Sequence, residues 1–71
     1  MRNPDIDQQI AGMCRRLTHF GLSLTRSASD TEDLVQMTML RGIECEHQYE
    51  RGSNLFAWLC TIMYSIFIAE W

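Results

Sequence analysis

Few residues of this 71-residue chain have the type and spacing to do chemistry. Cys45 and His47 form a Cys-x-His pair, while Cys14 and His19 stand far from them in sequence. A structural zinc site needs four ligands at workable spacings, and neither a CxxC nor an HxxxH step occurs, so no metal is expected. No nucleophile is spaced with a base and no Gly-rich phosphate loop is present. No enzyme, cofactor or small-molecule substrate is therefore expected. Three widely spaced cysteines do not make a secreted disulfide framework. The opening Met-Arg-Asn-Pro-Asp lacks the apolar core and cleavage site of a secretory signal. Together these features point to a reducing, cytoplasmic compartment.

Charge and length narrow the function classes further. Nine acids oppose six bases, all of them Arg, for a net charge of −3. That balance does not by itself predict nucleic-acid binding. Hydrophobic residues make up 46% of the chain and charged residues 21%, which is globular rather than disordered composition. A domain this small buries only about 60% of its unfolded surface and holds roughly 3–5 kcal/mol of core stability. One domain over residues 1–71 is expected, with no room for a deep substrate cleft.

Hydrophobic periodicity supplies three helical segments. Over residues 5–25, Ile6, Ile10, Met13, Cys14, Leu17, Phe20 and Leu24 recur at steps of three and four, one face of an amphipathic helix. Pro4 suits a first helical position, and Asp5 and Asp7 suit the positive end of the dipole. Gly21 is an interior weakness of about 1 kcal/mol relative to Ala. After Arg26-Ser27-Ala28-Ser29, the pair Ser29 and Glu32 reads as a capping box. Asp30, Glu32 and Asp33 load the first turn of a second helix over about 30–47, striped by Leu34, Val35, Thr38, Met39 and Ile43. Gly52 permits a turn, and Ser53 or Asn54 can cap a third helix. That helix buries Leu55, Trp58, Leu59, Ile62, Met63 and Ile66. Its other face holds Phe56, Cys60, Tyr64, Phe67, Ile68 and Trp71, so both sides want cover. Without a terminus signal at Trp71, the third helix is expected to be truncated.

Two groups of residues form a familiar pattern. The first is Asp30-Thr31-Glu32-Asp33-Leu34-Val35-Gln36 with Thr38, Leu40 and Arg41. The second is Gly52-Ser53-Asn54-Leu55 with Ala57-Trp58-Leu59, Thr61-Ile62 and Phe67-Ile68. Held at this offset, they resemble region two of bacterial RNA polymerase sigma factors, specifically the extracytoplasmic-function (ECF) group, over roughly residues 10–70. The resemblance implies an all-α, three-helix bundle that takes part in transcription initiation. It implies that the second helix docks on the clamp helices of the largest subunit of the RNA polymerase core through Asp33, Leu34, Gln36 and Met37. An acidic face with a Gln donor and acceptor suits a basic helical surface. It also implies recognition and melting of the promoter −10 element. A flipped base would be captured by the loop from His47 to Asn54, with Tyr49, Gly52, Ser53 and Asn54. The melted strand would run along the third helix past Thr61, Tyr64 and Ser65.

The chain departs from that pattern at specific places. Met37 stands where the family has Glu, Phe56 where it has a basic residue, and Tyr64-Ser65 where it has Arg-Asn. From Gly52 to Trp71 there is no Arg or Lys, and region four is not among these residues. Fewer bases weaken the main non-specific affinity for DNA, so polymerase binding is the better supported of the two roles. A rival reading is a sigma-like fragment or mimic that binds an anti-sigma factor through the apolar back of the third helix and leaves DNA alone. A membrane anchor is disfavoured, because the apolar run over 55–69 is shorter than the ~20 residues a span needs.

Overall fold

The computed structural model describes residues 4–71. The first three residues of the expected domain and the Asp5 side chain lie outside the described part. Helix α1 spans Pro4–Gly12, α2 Cys14–Thr25, α3 Ala28–Glu44 and α4 Leu55–Glu70, with a 3-10 turn over Glu46–Gln48. All of the regular structure among the described residues is helical. The radius of gyration is 11.6 Å, close to the ~11 Å of a folded chain this long, so the helices share one body.

The first expected helix is in fact two. The chain bends at Met13 (φ −89°, ψ 0°), whose amide donates back to Ile10 O at 3.0 Å before its own carbonyl restarts the ladder by accepting from Leu17. The weak point is Gly12, at about 1 kcal/mol against Ala, whereas Gly21, flagged in the sequence, lies inside α2 and is buried. The bend lets α1 pack its Ile6 and Ile10 against α3 while α2 reaches both α3 and α4.

The second helix also starts earlier than its capping-box pattern predicts. Ser27, not Ser29, is the N-cap: its hydroxyl accepts from the Asp30 amide at 3.3 Å and its carbonyl from Thr31. The preceding turn selects this register. Arg26 adopts the left-handed conformation (φ 58°), and the Thr25 hydroxyl accepts from the Ser27 amide while lying 2.7 Å from the buried Thr31 hydroxyl. Replacing Ser27 with Ala is expected to cost about 1 kcal/mol in a urea titration. The same change at Ser29 should stay within about 0.5 kcal/mol. Helix α3 ends at Glu44 rather than 47, and the chain passes into the 3-10 turn.

Helix α3 is the centre of the bundle and touches every other helix. Its Leu34, Val35, Thr31 and Thr38 are buried with Ile6, Ile10, Leu17, Leu55, Leu59, Met63 and Ile66. The Thr38 hydroxyl donates to Leu34 O at 2.7 Å, so burying it leaves no orphan donor. Two glycines permit the tight crossings. A Cβ on Gly21 would lie 3.0 Å from Thr31 Cγ2, and one on Gly42 2.8 Å from Leu59 Cδ2. On α4, Leu55, Leu59, Met63 and Ile66 are buried as the stripe predicts, while Trp58 and Ile62 are half-buried. The other face is only partly covered: Phe56, Cys60 and Phe67 are half-buried, and Tyr64, Ile68 and Trp71 are exposed.

Candidate functional site

The outer face of α3 is built by helical spacing. Asp33, Gln36 and Leu40 are exposed and Met37 is half-buried; steps of three and four align them along one side. They line an open groove of about 390 Å³ whose far wall is Trp71, at the end of α4. Leu34 does not belong to this face. Its side chain is 0% exposed, because it lies about 100° round the helix from Asp33 and points into the bundle. The expectation of a direct contact by Leu34 is therefore corrected to a core role. Leu40 and Trp71 were not among the expected contacts. Leu40 was legible as the next turn after Asp33 and Gln36. Trp71 was not, since only the packing of α4 against α3 brings it there.

The corner before α4 is a closed loop. Tyr49 lays its ring 5.2 Å from that of Trp58, tilted by 50°, and donates its hydroxyl to Ser53 O at 2.6 Å. The Ser53 amide and hydroxyl both donate to Glu50 O. Gly52 has φ 90°, with open space where a Cβ would stand. Asn54 is the N-cap, its Oδ1 accepting from the Ala57 amide at 3.0 Å, which decides between the two expected caps. Gly52, Ser53 and Asn54 are exposed, whereas Tyr49 is half-buried with its ring turned onto α4.

Further along α4, Thr61, Tyr64 and Ser65 are exposed on one side. The Thr61 and Ser65 hydroxyls donate to Ala57 O and Ile62 O of their own helix, leaving their lone pairs outward. Tyr64, Phe67 and Trp71 form a ladder of rings at 6.5 and 6.4 Å. Burial pushes the Cys60 thiol up, and the charge of Arg16 on α2 opposes that shift. The same guanidinium sits 4.0 Å above the Phe56 ring.

Apart from the buried Leu34, the expected site residues therefore fall on the α3 groove, the closed loop and the middle of α4. The α3 groove meets the C-terminal end of α4, and the closed loop leads into its N-terminal end. These ends stand about 24 Å apart along the α4 axis at 1.5 Å per residue. Among the described residues no group of three His, Cys, Asp or Glu side chains could hold a metal ion. No helix there is long and apolar enough to cross a membrane.

Residues 10–71 match the family described as Sigma-70 region 2. The chain is 40% identical over 55 residues to the ECF RNA polymerase sigma factor EcfG of Rhodopseudomonas palustris (strain TIE-1). That match covers 78% of this chain and 30% of the relative, so the chain spans about a third of that protein's length. No solved structure matches the chain. The two sequence motifs, carried on adjoining helices of an all-helical bundle, thus lie within a match that runs over most of the chain, and the protein belongs to the Sigma-70 region 2 family, on the ECF branch of the sigma factors.

Proposed function

We propose that this chain is a cytoplasmic region-two module that joins the RNA polymerase core and takes part in −10 recognition and melting. The observation that carries the reading is the α3 groove, where Asp33 and Gln36 stand exposed beside the apolar Met37 and Leu40. An apolar strip flanked by a carboxylate and an amide suits a helical partner with basic edges, the character expected of the clamp helices. Met37 replaces a charged residue of the family pattern and adds apolar area at the same place. The loop Tyr49–Asn54 presents backbone and the small residues Gly52 and Ser53 to an extruded base. Thr61, Tyr64 and Ser65 extend that surface along α4. Nothing in this reading calls for catalysis by the chain.

The test is capture of purified core polymerase by the tagged chain, followed by binding of a fluorescent single-stranded −10 oligonucleotide to the complex. Capture with sequence-dependent oligonucleotide binding is expected. Failure to capture core overturns the reading.

A second reading has its own observation. The exposed Tyr64, Ile68 and Trp71 form an uncharged apolar face that suits a helix of an anti-sigma factor better than a phosphate backbone. On that reading the chain captures core without binding the oligonucleotide, and an anti-sigma partner competes for α4.

A further inference from the structure

The charges of this acidic chain are segregated by helix. From Gln8 to Ser29 there is no Asp or Glu, and that stretch carries Arg15, Arg16 and Arg26. The acids gather from Asp30 to Glu50, on α3 and the turn that follows it. From Gly52 to Ala69 the chain has no charge at all. Helix α4 and the cap that starts it thus offer rings and hydroxyls but no cation of their own.

Arg16 brings one there from a different helix. It is exposed, and its guanidinium lies 4.0 Å above the ring of Phe56, in the first turn of α4. Its Nη1 reaches Met13 Sδ at 3.8 Å, a weak acceptor, and among the described residues no carboxylate lies within ion-pair distance of it. A guanidinium has five N–H donors in a planar fork, and with only a sulfur accepting from Nη1 most of them are left to fit a phosphate. The contact with Phe56 also pre-orders the long side chain, so less entropy is lost when the phosphate arrives. Arg15, next to it on α2, is exposed as well.

We infer that Arg16, held over Phe56, is the phosphate-binding residue for the DNA strand that runs past the start of α4, so that α2 supplies the cation that α4 lacks. The inference rests on the proposed role in −10 binding. An acidic protein segment could also be drawn to Arg16, but the site adjoins the uncharged α4 and its capping loop. An arginine set over a ring at the start of α4 suits a single strand, which needs both a cation and aromatic surface.

The experiment measures binding of the single-stranded −10 oligonucleotide to the core complex of the full chain from about 50 to 200 mM salt. Wild type, Arg16→Gln, Arg16→Lys and the double variant Arg16→Gln with Phe56→Arg are compared. Arg16→Gln is expected to weaken binding on the order of fivefold and to make the salt slope shallower by about 0.7, the value of one phosphate on a single strand. Arg16→Lys should keep the slope, since charge alone sets it. Phe56→Arg should restore the slope by returning a cation to the same place. A merely structural role for Arg16 would change melting temperature without moving the slope. An unchanged slope in Arg16→Gln overturns the inference while leaving the −10 reading intact. Weaker core capture with unchanged DNA binding also overturns it, by giving Arg16 to a protein partner. If the wild-type complex binds no oligonucleotide, the −10 reading and the inference fall together, whatever the variants do.

Discussion

Replacing Asp33 with Arg and Gln36 with Ala is expected to weaken capture of core polymerase at least about 30-fold while leaving the fold intact. Both side chains are exposed on α3, so removing them opens no cavity, and surface changes of this kind usually stay within about 0.5 kcal/mol of stability. The effect on binding is larger. Reversing a charge against a basic partner and removing a hydrogen-bonding amide should together cost about 2 kcal/mol or more, roughly a 30-fold loss of affinity. Titration of labelled chain into core, beside a circular dichroism melt, separates the two quantities. Wild-type affinity in this double variant would remove the α3 groove from the interface. Leu40→Ala should give a smaller loss in the same assay, as its exposed side chain borders the same groove.

Leu34→Ala is expected to act in the opposite way. Leu34 has no exposed surface and lies at the centre of the core. Truncating a buried Leu costs about 2–5 kcal/mol, comparable with the roughly 3–5 kcal/mol that a core of this size supplies. The variant should therefore be largely unfolded at 37 °C, with its helical signal lost or its urea midpoint moved far down. Its failure to bind polymerase would then follow from unfolding. A folded Leu34→Ala chain of near wild-type midpoint would contradict the packing described here. Together the neighbouring positions separate binding from stability: Asp33 and Gln36 should move affinity alone, Leu34 stability first.

Much of the bundle was legible because periodicity belongs to a single helix. Val35 and Thr38 on α3, and Leu55, Leu59, Met63 and Ile66 on α4, repeat at three and four residues and are buried as that repeat requires. The start of α4 was legible to within one residue, because few side chains other than Ser53 or Asn54 could satisfy its first amides. The start of α3 was misread by two residues. The local Ser29–Glu32 pattern competes with a Ser27 cap, and a hydroxyl network from Thr25 to the buried Thr31 favours the latter. Exposure was legible where it follows from the helix face, as at Asp33 and Gln36, whereas at Leu34 the apolar stripe and the motif point opposite ways and the packing follows the stripe.

Residue types and spacing alone determined an all-helical chain, the inward stripes of α3 and α4, the acidic outer face of α3 and the glycine-bearing corner before α4. Each of these depends on interactions within about two turns of one helix. Only the tertiary structure decided the bend at Met13, the meeting of Trp71 with the α3 groove, the Tyr49 ring against Trp58 and the seat of Arg16 over Phe56. Those features join residues on different elements, and their geometry depends on how closely the helices approach. That approach is governed by the volumes between them, including the room left by Gly21 and Gly42, which no repeat along a single helix records.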